Sequence, residues 1–161
     1  MQLKDGKYFF SPSDLTCFMD SPFASWMDRC AMESPSIAPK KDPEDALKSV
    51  LQAKGFTHED EQESNFRDQG LSVFRVESTN SKEQAELTLS AMQNGVDVIA
   101  QARLENNQFL GFADFLIKVV GVSKLGNYHY EVWDTKLASK VKPTFTIQLC
   151  CYSEMLEEIQ G

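Results

Sequence analysis

Apolar positions recur at helical spacing in four parts of the chain. In the first part Ser11 or Ser13 can cap a helix, and Pro22 should break or kink it. The second helix is predicted to be interrupted or weakened at Gly55, and the third is ended by an Asn-Gly pair. The helices predicted from this pattern comprise residues 11–32, 44–68, 81–95 and 143–160.

Shorter segments alternate between apolar and polar residues, which is typical of strands. The segment between the first two helices, residues 34–43, contains three prolines and is predicted to be a surface connection. The order of helices, then several strands, then a helix predicts an α/β or α+β layered domain. The predicted strands comprise residues 70–78, 97–106, 108–122 and 128–138.

The length of 161 residues and the hydrophobic content of 42% predict one folded domain covering residues 1–161. No apolar run approaches the roughly 20 residues that a membrane span needs, and the first residues lack the pattern of a signal peptide. We therefore expect a soluble, cytoplasmic protein with no membrane partner. The chain stops inside an amphipathic helix, so we expect a fragment of a longer protein.

The four cysteines are Cys17, Cys30, Cys150 and Cys151, and they include no CxxC pair. The adjacent pair would point in different directions on either a helix or a strand. We expect reduced thiols in or near the core rather than a disulfide framework or a zinc site.

The formal charge of −8 argues against a nonspecific nucleic-acid coat protein, because backbone binding depends on Lys and Arg. The charge is uneven, however. Residues 118–142 contain five lysines and two acids, a local surplus of three positive charges. The candidate site lies inside this stretch.

Two aspartates are predicted to face each other across a hairpin. If the strands on either side of Lys124 pair symmetrically, Asp114 lies opposite Asp134. Opposed positions have Cβ atoms roughly 5 Å apart. A divalent cation between two such carboxylates is the simplest way to remove their repulsion.

Lys136 follows Asp134 by two residues, so on a strand both project from the same face. Phosphodiester hydrolysis needs carboxylates to hold a metal and a cation to orient the attacking water and offset charge. The alternative is an ordinary salt bridge between Asp134 and Lys136, because D-x-K occurs often by chance.

Three further residues are candidates for the same site. Gln148 and Tyr152 lie one helical turn apart, so both can approach the same sheet edge, although a polar helix stripe is the alternative. His58, in the acidic segment GFTHEDE, suits a Mg²⁺ or Mn²⁺ site together with two carboxylates. The alternative for His58 is a solvated side chain.

In chain order the motifs are G-x-x-H-E (55–59), G-x-x-D (111–114), D-x-K (134–136) and Q-x-x-x-Y (148–152). This ordered set resembles the RecB-like branch of the PD-(D/E)XK nucleases, in particular the RecB-like nuclease domains whose strand reads YEVxDTKLA. The resemblance implies a restriction-endonuclease-like core, a small mixed sheet flanked by helices.

The resemblance also implies roles for individual residues. His58, Asp114, Asp134 and the Thr135 carbonyl would bind Mg²⁺ or Mn²⁺, and Lys136 would orient or activate the attacking water. Gln148 and Tyr152 would support the site or contact the nucleic acid. Several relatives hold an iron–sulfur cluster through one N-terminal and three C-terminal cysteines. This chain lacks the C-terminal trio, so we expect no cluster.

The resulting expectation is a metal-dependent nuclease that cuts DNA single strands or ends in repair or recombination, and both an exonuclease and an enzyme that cuts internally stay open. A fused or associated helicase is an expected partner. Two alternatives stay open: a catalytically silent nuclease-like module that binds nucleic acid or protein, and a structural domain with an ordinary Asp134–Lys136 ion pair.

Overall fold

The structure, a computed structural model, describes residues 1–36, 46–138 and 140–161. It is an α+β layered domain with a four-stranded mixed sheet and a separate two-stranded hairpin. Among the described residues, no helix has the length and apolar character needed to cross a membrane. The elements are β1 (Gln2–Lys4), β2 (Lys7–Phe9), α1 (Pro12–Asp20), α2 (Pro22–Glu33), α3 (Ala46–Asp68), β3 (Val73–Arg75), α4 (Ser81–Gln93), β4 (Val98–Glu105), β5 (Leu110–Ser123), β6 (Gly126–Trp133) and α5 (Pro143–Gln160).

The main sheet has the strand order β3-β4-β5-β6. Strand β3 runs parallel to β4, with α4 as the crossover between them, and β4, β5 and β6 form antiparallel pairs. The β5–β6 hairpin pairs Phe115 with Trp133 and continues in that register to Val120 and Tyr128. The symmetric register predicted around Lys124 is therefore confirmed over most of the hairpin. An irregularity shifts it only near the tip.

Two apolar clusters cover the sheet. The larger joins strand residues such as Ile99 and Leu116 to α4 and to Met155 of α5. The smaller joins Phe115 to Phe66 of α3 and to the start of β3. Because Leu116 and Phe115 are adjacent, their side chains project from opposite faces of the strand. The sheet thus lies between α3 on one side and α4 with α5 on the other.

The N-terminal helices end and begin as their caps predict. Ser11 is the N-cap of α1 and forms a capping box with Asp14. Helix α1 ends at Asp20, and Pro22 is the first residue of α2. The predicted break at Pro22 is confirmed, because proline is favoured at the first position of a new helix and not inside one.

Several boundaries differ from the predictions. Strand β6 ends at Trp133, so the predicted continuation of the strand to Ala138 is wrong. Helix α3 is not interrupted at Gly55. The β1–β2 hairpin was not predicted, because each of its strands has only three residues. Most of the predicted connection 34–43, like the predicted start of α3 at residues 44–45, lies outside the described residues.

The four cysteines are free thiols. Cys151 is buried in the main core, and Cys17 and Cys30 are partly buried. Cys150 is exposed, so its expected place in or near the core is wrong. Neighbouring residues on α5 point in different directions, and only Cys151 faces the sheet.

Candidate active site

The site lies where the β5–β6 hairpin ends. The last paired residues are Phe115 and Trp133, so Asp114 and Asp134 occupy the next opposed positions. The two carboxyl groups are within hydrogen-bonding reach of each other. The predicted juxtaposition of the two aspartates is therefore present, although Asp134 follows β6 rather than belonging to it.

Asp134 is a buried carboxyl group in an unfavourable environment for a negative charge. Its side chain is only 4% exposed. Burial and the hydrogen bond with Asp114 raise the pKa of Asp134 to about 7. Lys136 opposes this rise from 2.7 Å away, measured from Nζ to Oδ1 of Asp134. The lysine does not fully compensate the buried charge.

A second aspartate–lysine pair on the same sheet shows the opposite behaviour. Lys118 Nζ lies 2.5 Å from Asp97 Oδ1, and Ser72 donates further hydrogen bonds to Asp97. These contacts lower the pKa of Asp97 to about 2. At Asp97 the ion pair favours the charged carboxylate and lowers its pKa. At Asp134 the neighbouring Asp114 carboxyl group disfavours a second negative charge and raises the pKa.

The segment after β6 is held by Asp114. The backbone N–H of Thr135 donates to Asp114 Oδ2 at 2.9 Å, and the Thr135 hydroxyl lies 3.3 Å from the same oxygen. The backbone N–H of Thr135, two residues beyond the end of β6, is thus bound by a side chain. This contact keeps Asp134 and Lys136 beside Asp114 even though they lie beyond the strand.

Gln148 and Tyr152 approach the aspartates from α5, as their spacing predicts. The Gln148 side chain and the charges of Asp114 and Asp134 all act on the Tyr152 hydroxyl. Burial raises the pKa of the Tyr152 hydroxyl to about 12. This hydroxyl therefore keeps its proton at neutral pH and can act as a hydrogen-bond donor in the site.

The glycine of the G-x-x-D motif makes room for this tyrosine. A Cβ placed on Gly111 would lie 3.0 Å from the Tyr152 ring and 3.0 Å from Pro12 Cδ. Such distances are shorter than ordinary carbon contacts. The absence of a side chain at Gly111 thus lets α1 and α5 pack directly on β5, next to Asp114.

Glu59 on α3 is a site residue that sequence reasoning missed. Burial and the nearby charge of Asp114 raise the pKa of Glu59, while Arg75 and a hydrogen bond from Gln101 lower it. Its sequence signals were its place in the acidic run GFTHEDE and at the end of the G-x-x-H-E motif, and neither shows which carboxylate is buried. The structure therefore adds a third carboxylate near Asp114.

His58, the predicted metal ligand on α3, lies in the wall of a cavity of about 390 Å³. Glu59, Thr135 and Lys136 line the same cavity. The imidazole Nδ1 is 3.9 Å from Glu61 Oε2, on the same helix. The structure thus brings His58 to the site without showing a contact between it and either aspartate.

A second cavity of about 330 Å³ lies on the α5 side of Lys136 and includes Asp134. Lys140 and Phe145 form part of its wall. Lys142 and Lys136 each place Nζ about 6 Å from the centre of the Phe145 ring. Within the part of the chain that the structure describes, neither Lys140 nor Lys142 forms an ion pair. This end of the molecule therefore carries uncompensated positive charge.

The donor chemistry fits a hard divalent cation. Asp114, Asp134 and Glu59 offer carboxylate oxygens, which Mg²⁺ and Mn²⁺ prefer, and the raised pKa of Asp134 reflects a charge that a cation would stabilise. Within residues 1–36, 46–138 and 140–161, no three His, Cys, Asp or Glu side chains are already close enough to share one ion. Mg²⁺ commonly binds through only one or two carboxylates and keeps several water ligands. Comparison with protein-family models, curated proteins and solved structures finds no match to this chain.

Proposed function

We propose that this protein is a Mg²⁺- or Mn²⁺-dependent nuclease that hydrolyses phosphodiester bonds of DNA. The observation that carries the proposal is the carboxyl pair of Asp114 and the buried Asp134 side chain, with the Lys136 ammonium 2.7 Å from Asp134. Two opposed carboxylates and a lysine are the set that metal-assisted phosphodiester hydrolysis requires. The ordered motifs support assignment to the RecB-like branch of the PD-(D/E)XK superfamily, with its restriction-endonuclease-like core.

Asp114 and Asp134 are the proposed principal metal ligands, and Glu59 is the nearest further carboxylate. His58 and the Thr135 carbonyl stay predicted ligands from the family resemblance. When bound, the metal would polarise the phosphate and acidify a water molecule. The hydrogen bonds from Thr135 to Asp114 keep one of the carboxylates in place.

Lys136 lies in the walls of both cavities, directly beside Asp134. From this position its ammonium can orient the attacking water and offset negative charge on the phosphate in the transition state. Tyr152 and Gln148 lie on the α5 side of the same carboxyl pair. We assign them to support of the site or to contact with the nucleic acid, with the protonated Tyr152 hydroxyl as a donor.

The charge distribution supports a nucleic-acid substrate in spite of the net charge of −8. Lys140 and Lys142 are exposed next to the Asp134 cavity, and Phe145 presents a ring between Lys142 and Lys136. Single-stranded nucleic acids bind grooves that combine lysines with an aromatic ring on which a base stacks. We therefore place a single strand or a DNA end along this wall.

The biological setting follows from the resemblance alone. We propose a role in DNA repair or recombination in the cytoplasm, with a fused or associated helicase as partner. A helicase would supply single strands, and its own surface would add the positive charge that this acidic domain lacks overall.

Cleavage of end-labelled single-stranded and double-stranded DNA in Mn²⁺, Mg²⁺ or EDTA tests the proposal. Cleavage that requires the metal and is lost in Asp134→Ala and Asp114→Ala is the expected result. Persistence of cleavage in both purified variants would show that the activity belongs to another site or to a contaminant. The lengths of the labelled products distinguish cutting from an end from cutting inside the strand.

A catalytically silent module that binds nucleic acid is the second candidate. One observation favours it: the Lys136 ammonium already forms an ion pair with Asp134. A thermal melt with Mn²⁺ separates the candidates. A functional site should raise the melting temperature by roughly 5–10 °C at a Mn²⁺ concentration about 100 times its Kd. A silent module should bind DNA without this rise.

A further inference from the structure

Gln101 has an unusual backbone conformation in the middle of a strand. Its φ is +53°, in the left-handed region, which is costly for residues other than glycine. Among the described non-glycine residues only Asp5, in the β1–β2 turn, shares a positive φ. A turn explains the conformation of Asp5. Strand β4 offers no such explanation for Gln101.

The strand register places Gln101 opposite Asp114. The pairs on either side are Ala100 with Phe115 and Ala102 with Ala113. No regular pair forms between them, so the left-handed residue and the candidate metal ligand share one interruption of the ladder. The strain is thus located at the site rather than elsewhere in the sheet.

At this interruption the inward-facing side chains of both strands switch from one face of the sheet to the other. Ala100 and Phe115 belong to the cluster with Phe66 of α3, whereas Ala102 and Ala113 belong to the cluster with α4 and α5. Residues two apart on a regular strand would project from one face. The irregular backbone therefore lets the residues at this position interact with helices on both sides of the sheet.

The side chain of Gln101 uses this position to bind Glu59. Its Nε2 donates to Glu59 Oε2 at 2.7 Å, across 42 positions in sequence. Among the described residues, Glu59 Oε1 has no hydrogen-bond partner. A neutral amide fixes one carboxylate oxygen without neutralising the group, and the charge of Asp114 acts on the same carboxylate.

We propose that Gln101 is a positioning residue that uses its left-handed backbone to hold the Glu59 carboxylate toward Asp114 as an oxygen donor for the divalent cation. This inference rests on the proposed metal site. A residue that orients a metal ligand in this way commonly changes metal affinity by roughly 10- to 100-fold when it is replaced. Strained backbone at such positions is retained because the surrounding structure requires it.

Gln101→Gly removes the amide that holds Glu59 and also removes the cost of the positive φ, so metal affinity and stability should change in opposite directions. Glycine adopts a positive φ without penalty but has no amide, so the variant should fold at least as well as the unsubstituted protein and bind Mn²⁺ roughly 10- to 100-fold more weakly by calorimetry. Asp5→Gly is the matched control, because it also relieves a positive φ and lies away from the site. It should leave Mn²⁺ affinity unchanged.

Glu59→Gln supplies a second test that leaves Gln101 in place. It should weaken Mn²⁺ binding to a similar extent, and adding Gln101→Gly to it should cause little further loss. Mn²⁺ affinity in Gln101→Gly equal to that of the unsubstituted protein would overturn the inference and leave the proposed function intact. Absence of Mn²⁺ binding by the unsubstituted protein would overturn the metal site itself, and this inference with it.

Discussion

Lys136 Nζ lies 2.7 Å from Asp134 Oδ1, yet the pKa of Asp134 is raised to about 7. At the Asp97–Lys118 pair a similar contact accompanies a pKa lowered to about 2. The difference comes from burial and from Asp114, which competes with Asp134 for positive charge. The environment of Asp134 therefore differs from that of an ordinary surface ion pair.

The stability of the metal-free protein should fall as the pH rises from about 4 to about 7. In this interval folded Asp134 retains a proton that the unfolded chain, with a carboxyl pKa near 3.8, has released. The folded state then binds more protons, so the free energy of unfolding decreases with pH. Urea titrations in EDTA at several pH values measure this slope.

Asp134→Asn is the matched variant for the pH experiment, because it removes the titrating group and keeps its shape. The charged and titratable groups around this position are Asp114, Lys136 and Tyr152. The variant should show a smaller decrease in stability between pH 4 and pH 7. An unchanged slope would assign the pH dependence to other groups.

Lys136→Ala should reduce cleavage without abolishing metal binding. Loss of one group that stabilises the transition state typically costs roughly 10²- to 10³-fold in kcat. Single-turnover cleavage and Mn²⁺ calorimetry measured on the same preparation check both parts. Lys82→Ala, at an exposed lysine paired with Glu86 on α4, is the control and should behave like the unsubstituted protein. Equal rates in the two variants would exclude a catalytic role for Lys136.

Lys140→Ala combined with Lys142→Ala should weaken the binding of a single-stranded oligonucleotide and make it less dependent on salt. For every phosphate that the variant no longer neutralises, the slope of log K against log salt should become shallower by about 0.7. Fluorescence anisotropy over a range of salt concentrations, in Ca²⁺ to prevent cleavage, measures the slope.

The chain offers a matched control for the lysine pair. On the N-terminal hairpin, Lys4 and Lys7 each place Nζ within 6 Å of the Phe9 ring. This arrangement resembles that of Lys136 and Lys142 around Phe145. Lys4→Ala with Lys7→Ala removes the same charge and should leave the slope unchanged. If the two double variants lose affinity equally, the binding is nonspecific and the proposed strand path is wrong.

Gly111→Ala should destabilise the protein, and Gly55→Ala should not. A Cβ at Gly111 would meet Tyr152 and Pro12 at 3.0 Å, and such overpacking typically costs about 1–3 kcal/mol. A Cβ at Gly55, inside α3, would meet nothing within 4 Å, and alanine favours a helix by roughly 0.5–1 kcal/mol. Urea unfolding of both variants tests the contrast. Equal stabilities would show that Tyr152 is not packed on Gly111.

The sequence was sufficient to predict the β5–β6 register, because apolar alternation and a short turn leave few other pairings. It was not sufficient to predict where β6 ends. Just beyond this end, the Thr135 N–H donates to the Asp114 side chain. This hydrogen bond forms only in the folded structure, so the sequence pattern does not reveal it. The alternation alone therefore extended the strand too far.

Glu59 and Gln101 were missed for a related reason. Glu59 is one of several acids in α3, and only the packing of α3 on the sheet brings it near Asp114. Gln101 lies in a strand-like segment, and no local pattern indicates a positive φ at a glutamine. Both residues were identified from contacts between elements that are distant in sequence.

Calorimetric titration of Mn²⁺ into the unsubstituted protein, Asp134→Asn and Asp97→Asn tests the metal site most directly. We predict binding to the unsubstituted protein, similar binding to Asp97→Asn, and loss of binding in Asp134→Asn. The Asp97 variant removes an equal charge from an ordinary ion pair on the same sheet. Equal Mn²⁺ binding by all three proteins, or none by the unsubstituted protein, would contradict a cation site at the Asp114–Asp134 pair.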